Sequence, residues 1–529
     1  MRRLLVVCFA LLLVGAGTVG VFSTIGLSPV AATPSDAGVA GPTASVQQSD
    51  FDPDEPVGCV GGVCYDDELG IDQSDGLSDE EFEQFTKQAM ARVEYIRGQK
   101  FQEDVPVDVM TRAEYREQSQ GGGDGGSEFN RWNDQVWKGL MIVGEDSGSD
   151  DEIGETLGSA VGGFYSPSQN QIVIITPDTE NPIISDTTLV HEYVHAMQDQ
   201  YHDLGDARYR GETQDRDLAI NGIVEGEAVY TERLYEEYCE SEWECASPPE
   251  QEGGGGGGDL NLGIYLTVFQ PYSDGPGYVH DIVEADGWDA VGERMEDPPR
   301  STTQVIHRTD REPTPIDFTD EATDGWELYP DQGVDGADTV GEASIYAMLY
   351  YQSREYGAEA IDWRQIGAVS HPYEQLNYVS EPSDGWANDK LYPYRRGDDE
   401  DGYVWVTEWE SEDDAIEFYE AYQAILTAHN VSEQENGMQM IADGPFRGTY
   451  GVHVDETTVA IAHGTDEAAV EQLRPSVAEA LGDSGSSTDQ NATTETNDTG
   501  QTESPIPGFG VVVAALSLLA VAAIARWRQ

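Results

Sequence analysis

The sequence predicts an α+β chain of two lobes and a small third unit, and three observations carry that prediction. Around His191-Glu192-Tyr193-Val194-His195, and again through 215–238, apolar residues recur at the three- and four-residue spacing of helices. Upstream, Gly162-Gly163-Phe164-Tyr165 and Gln171-Ile172-Val173-Ile174-Ile175 flank the turn Ser166-Pro167-Ser168-Gln169-Asn170 and read as a β-hairpin. Beyond residue 400, strand and helix patterns alternate. A length of 529 residues allows two or three globular units.

Taken in order, residues 33–77 are acidic and rich in Gly and Pro, the composition of a poorly ordered linker. Order is expected to begin at Ser78-Asp79-Glu80-Glu81, a capping box, with Leu77 and Phe82 placed as a hydrophobic staple and the helix ending near Gly98. Val105-Pro106-Val107-Asp108-Val109 suggests a strand. The glycine runs 121–126 and 253–258 read as loops and lack the GxxxxGK[ST] pattern that cradles phosphates. After the second run, helical patterns dominate to about residue 380. A strand at 403–407, a helix at 413–426, a strand at 457–462 and a helix at 466–481 make the small α+β unit. The expected division is therefore 78–252 for the lobe that carries the motif, 253–400 for a mainly helical lobe and 401–482 for the last unit.

The chemistry is concentrated in Leu189-Val190-His191-Glu192-Tyr193-Val194-His195. Two histidines four residues apart lie on one helical face, where both imidazoles reach a single Zn²⁺ at about 2.0–2.1 Å. Glu192 beside the first of them is placed to take a proton from a metal-bound water. Ser185 or Asp186 offers the N-cap of this helix. A catalytic zinc needs a third protein ligand, and the helix at 215–238 carries Glu225 and Glu227 in Asn221-Gly222-Ile223-Val224-Glu225-Gly226-Glu227-Ala228. These two are about 200° apart around a helix, so only one faces the metal. Glu225 is preferred, because it shares a stripe with Asn221, Gly222 and Ala228. The small residues Gly222, Gly226 and Ala228 are expected to let this helix approach the motif helix closely.

These residues resemble the gluzincins, zinc peptidases in which two His and a downstream Glu hold the metal. The longer text from His191 to Leu204 is similar to a group of secreted metallopeptidase-like proteins of bacteria and haloarchaea, as is Pro298-Pro299-Arg300-Ser301-Thr302-Thr303-Gln304-Val305-Ile306-His307. The likeness runs over about residues 80–475. It implies a zincin-like catalytic lobe with an active-site helix and an edge strand that pairs with substrate backbone, one catalytic zinc and peptide hydrolysis. It also departs from the pattern: thermolysin has an Asp four residues after its ligand Glu, and Val229 stands there here. Asp199 is the candidate to orient a histidine in its place. His280, His307, Tyr272 and Tyr278 are the candidates to stabilise the oxyanion.

Composition bounds the setting. Asp and Glu number 101 against 27 Lys and Arg, a net charge of -74. Such self-repulsion is tolerable where salt is molar and the Debye length falls to about 3 Å, which predicts a halophilic protein. No basic patch is present to neutralise phosphates, so nucleic acid is excluded as a partner. Arg2-Arg3 and the apolar run to Phe22 read as a secretory leader cleaved after Ala32. Export permits disulfides. Cys59, Cys64, Cys239 and Cys245 allow three pairings, of which the local pairs Cys59 with Cys64 and Cys239 with Cys245 are expected.

Residues 483–506 read as a solvated stalk, with glycosylation acceptors at Asn491 and Asn497 and another at Asn430. Pro507-Gly508-Phe509 and the apolar run to Ala525 resemble a PGF-CTERM sorting signal, which implies an archaeosortase as processing partner and attachment to the membrane through lipid. Unprocessed, the run is a short membrane segment. The expected protein is thus a secreted, surface-anchored zinc metallopeptidase with a protein or peptide substrate. The alternative is a surface binding or adhesion protein on an idle peptidase scaffold.

Overall fold

The computed structural model describes residues 51–119, 127–157, 161–246, 248 and 260–486. The leader, the first part of the linker, both glycine runs, Asn491, Asn497, nearly all of the stalk and the PGF-containing tail lie outside them. Among the described residues no helix is long and apolar enough to cross a membrane.

The fold is mixed α and β. It opens with the hairpin β1 (Cys59–Val60) and β2 (Val63–Cys64), then helix α1 (Asp79–Arg97), strand β3 (Val107–Met110), helices α2 (Arg112–Ser119), α3 (Ser127–Gly139) and α4 (Ser149–Leu157), and the hairpin β4 (Gly163–Ser166) and β5 (Gln171–Ile175). Six helices follow: α5 (Asp186–His202), α6 (Gln214–Ser241), α7 (Leu262–Asp286), α8 (Trp288–Glu296), α9 (Thr302–Ile306) and, after strand β6 (Glu327–Leu328), α10 (Gly341–Glu355). The chain then runs through β7 (Trp386–Arg396), β8 (Glu400–Trp409), α11 (Glu412–Ala428), β9 (Ser432–Glu433), β10 (Gln439–Ile441), β11 (Gly448–Asp455), β12 (Thr458–Gly464), α12 (Glu467–Leu473) and α13 (Pro475–Ser486).

The start of α1 is where local chemistry is clearest. Ser78 and Glu81 form the capping box, and Gly98 closes the helix in the left-handed region at φ 64°. Residues 51–77 are a correction to the expected disorder. They are tied down by a disulfide between Cys59 and Cys64, by Tyr65 stacked on Tyr95, and by the Gly58 amide donating to buried Glu94. Cross-linking and aromatic packing supply the order that low hydrophobicity would otherwise deny. Cys239 and Cys245 form the second local disulfide.

Two sheets organise the rest. In the smaller, the order is β3-β5-β4, with β3 parallel to β5 and β4 antiparallel to it, so β4 is an edge. Its Tyr165, Ile172 and Ile174 pack with Leu189, Tyr193 and Val194 of α5. The larger sheet has the order β6-β7-β8-β12-β11-β10-β9 and is antiparallel throughout. Along β8 the side chains alternate: Tyr403 and Trp405 join Phe418 and Tyr422 of α11, whereas Val404 and Val406 join Val470 and Leu473 of α12. Strands β6 and β7 belong to this sheet although they lie upstream of residue 401, within the stretch expected to be helical. The single helix expected at 466–481 is split, because Pro475 cannot continue α12 and pushes Arg474 out of helical geometry.

Candidate metal centre

Helix α5 begins at Ser185, whose hydroxyl accepts from the Thr188 amide, and presents His191, Glu192 and His195 in its second and third turns. All three are buried, at 1 %, 0 % and 0 % exposure, as is Glu225 of α6 at 2 %. Glu225 Oε2 lies 3.4 Å from Nε2 of His191 and 3.4 Å from Nε2 of His195. Tetrahedral ligands at 2.0–2.1 Å from zinc stand about 3.3–3.4 Å apart, so these spacings match two edges of such a tetrahedron. The same three atoms are buried without a hydrogen-bond partner. Three orphaned lone-pair donors converging in a dry interior are unfavourable unless something completes them, and a divalent cation suits this donor set.

The other ring nitrogens explain how the donors are aimed. His191 Nδ1 lies 3.3 Å from Glu232 Oε2, and His195 Nδ1 lies 2.7 Å from Gln198 Oε1. With a proton on each Nδ1, both Nε2 lone pairs face Glu225. Gln198 is itself fixed: its amide nitrogen donates to Val224 O at 2.9 Å and to Glu227 Oε2 at 3.0 Å, which turns its oxygen toward His195. Glu227 is ion-paired with Arg97, whose guanidinium stacks 3.9 Å over Trp288. Glu225 and Glu227 thus face opposite sides of α6, and Glu227 supports Gln198.

Asp199, the expected orienting carboxylate, does not reach a histidine of the motif. Its oxygens accept from Tyr165 Oη at 2.7 Å and from the Leu204 amide at 2.8 Å, fixing the end of α5 to the hairpin. Sequence reasoning missed Gln198, Glu232 and Arg97. Gln198 sits three residues after His195, and Glu232 seven after Glu225, two turns along the same face, so helical spacing contained the signal for both.

Glu192 is unpaired as well. Neither carboxylate oxygen has a hydrogen-bond partner, though the group faces the backbone of Tyr165 on β4. Burial, reinforced by Glu225, pushes this carboxyl well above the usual range. Burial and neighbouring His195 hold His191 well below its usual value, which keeps the imidazole neutral.

The glycines of α6 need a second correction. They face away from the motif helix: a Cβ on Gly226 would stand 2.5 Å from the backbone of Gly275 in α7, and one on Gly222 would stand 2.7 Å from Val305 of α9. Ala228 alone of the three small residues packs with the α5 cluster.

Of the four oxyanion candidates, Tyr272 is beside the triad, its ring stacked parallel to His191 at 6.4 Å. The other three are engaged elsewhere. Tyr278 is buried with Val291, Met295 and Val305. His280 lies 3.1 Å from Asp281, which His371 and Arg308 also contact. His307 is 2.7 Å from buried Glu342; burial opposes its protonation, but Glu342 outweighs this and raises its pKa. The segment at 298–307 is therefore a brace. Thr302 bonds Asp215 at the start of α6, and Thr303 and His307 bond Glu342 of α10. Asn430 is exposed, in the left-handed region just after α11.

Comparison with known families matches two segments. Residues 327–474 match a domain of unknown function, DUF8575, which spans β6 to α12 and does not include the triad. No curated protein and no solved structure matches the chain. Residues 506–528 match the PGF-CTERM motif. That motif is an anchoring signal processed by an archaeosortase, and it marks this chain as a secreted protein held at the archaeal cell surface.

Proposed function

We propose that the protein is a zinc-dependent, gluzincin-like peptidase acting at the cell surface. The observation that supports this reading most is the convergence of two Nε2 atoms and one carboxylate oxygen at tetrahedral spacing, buried, unpartnered and adjacent to the equally unpartnered Glu192. A bound zinc would lower the pKa of a water and polarise a carbonyl. The chain's own residues account for the remainder. Glu192 takes the proton of the attacking water on its carboxylate and returns it to the leaving amine nitrogen. Glu232 and Gln198 hold the Nδ1 protons that keep both Nε2 atoms available. Strand β4 has no strand partner among the described residues on the side away from β5, so its backbone groups there can align an extended peptide beside Glu192. Tyr272 is the candidate of the four best placed to donate to the developing oxyanion.

The test is cleavage of casein and a peptide library in molar salt by wild type and Glu192→Gln. Wild type should cleave, and the variant should keep zinc while losing about 10²–10⁴-fold in turnover, the usual contribution of a general base. A wild type that holds zinc and cleaves nothing would favour the surface-binding alternative.

A further inference from the structure

An aromatic cluster that reaches the site carries at its far end an arginine with no counter-ion among the described residues. Val229, one turn beyond Glu225, packs in one cluster with Tyr272, which stacks on His191, and with Phe269, Tyr115 and half-buried Phe164. Phe164 lies on the edge strand, one residue before the Tyr165 backbone that faces Glu192. This cluster draws its members from α6, α7 and β4 and reaches the metal triad through Tyr272. Tyr115 of α2 packs against Phe164 with ring centroids 6.3 Å apart, and the Arg112 guanidinium lies 5.9 Å over the Tyr115 ring.

Arg112 Nη1 is buried and has no hydrogen-bond partner. Burial, with Arg116 adding like charge, lowers its pKa. In a chain with 101 acidic residues against 27 basic ones, a half-buried arginine without a carboxylate among the described residues stands out. Arg97 and Arg131 are ion-paired, and Arg92 and Arg216, which lack a carboxylate, donate to backbone carbonyls. Arg112 has neither kind of acceptor among the described residues. A guanidinium with one nitrogen desolvated and unpaired carries a cost that a carboxylate would offset with short, charge-assisted hydrogen bonds. Tyr115 and Phe164 link it to the edge strand along which an extended peptide would lie.

We propose that Arg112 selects substrates by binding a carboxylate close to the scissile bond, either an Asp or Glu side chain or the free chain terminus. This rests on the peptidase reading, and its test is kept separate from turnover. Zinc-loaded Glu192→Gln protein is titrated in molar salt with four fluorescent peptides: one with Asp and its Asn counterpart, and one with a free C-terminus and its amidated counterpart. The carboxylate form of one pair should bind about tenfold or more tighter, the value of one charge-assisted hydrogen bond. The preference should persist at high salt, because a partly buried pair is screened little. The pair that shows it identifies the source. Adding Arg112→Gln should abolish the preference while zinc content and thermal transition stay unchanged, and Arg112→Lys should keep part of it. Equal affinities within both pairs, binding of none of the peptides, or a preference that survives Arg112→Gln would overturn the proposal. Failure of the peptidase reading would show differently, as peptide binding by wild type without cleavage.

Discussion

Replacing Gly226 with alanine sets two opposed effects against each other, and the structure decides their order. In an isolated helix the change is favourable by about 1 kcal/mol. Here the new Cβ would stand 2.5 Å from the carbonyl carbon and oxygen of Gly275 and 2.8 Å from its Cα. Ordinary contact begins about 1 Å further out, and the obstacle is backbone, which has no rotamer to change. Helices α6 and α7 must therefore separate by roughly 1 Å, opening the interface around them, at a cost of about 1–3 kcal/mol or more. The net expectation is destabilisation of about 1–2 kcal/mol, with weakened zinc binding because Glu225 is the preceding residue. Gly154→Ala in α4 is the control, since nothing lies within 4 Å of its added Cβ. That variant should gain up to about 1 kcal/mol. Denaturant unfolding in molar salt with paired zinc analysis reads both changes. Gly226→Ala as stable as wild type, with full zinc content, would refute the close helix crossing and the placement of Glu225 that depends on it.

Other outcomes follow from the same contacts. Gln198→Leu and Glu227→Gln should lower zinc affinity by about 10–100-fold without abolishing binding, as is usual when support for a ligand is removed; unchanged affinity in both would dismiss the chain from Arg97 to His195. Burial pushes the carboxyls of Asp215 and Asp338 up to about 7. Because these folded-state values are raised, their stabilising contribution is complete below the ordinary carboxylate range and is lost as pH rises through about 7. Asp338→Asn keeps an acceptor for the Gln214 and Thr339 amides and should flatten the loss between pH 4 and 8, on the order of 2–4 kcal/mol, in pH-dependent unfolding; an unaltered slope would count against it. Dilution from molar to low salt should unfold the chain and remove zinc together, given the charge of -74, and a cooperative fold retained in dilute buffer would contradict this.

What the sequence revealed followed the range of the interactions involved. The capping box at Ser78 and the one-turn spacing of the motif histidines are decided within a few residues, and both could be read directly. Glu225 was readable against Glu227 because helical angle separates them. What each glutamate does instead depended on distant partners: Glu227 meets Arg97, 130 residues upstream, and no local pattern announces that pairing. The glycines of α6 signalled close packing, but the identity of the partner, α7, was a tertiary fact. Strand β11 has Gly448, Gly451 and His453 in place of a clean alternation, and only its position between β10 and β12 makes it a strand. Residues 51–77 looked like linker by composition because a disulfide and a tyrosine stack leave almost no compositional trace.

The central claim is that one zinc is held by His191, His195 and Glu225. Metal analysis of protein purified in molar salt with zinc, across wild type, His191→Ala, Glu225→Ala and Glu227→Ala, tests it most directly. The account predicts one zinc per chain in wild type, none in the first two variants, and a weakened but measurable zinc in Glu227→Ala. Absence of zinc from a folded wild type, or its full retention by Glu225→Ala, would contradict it.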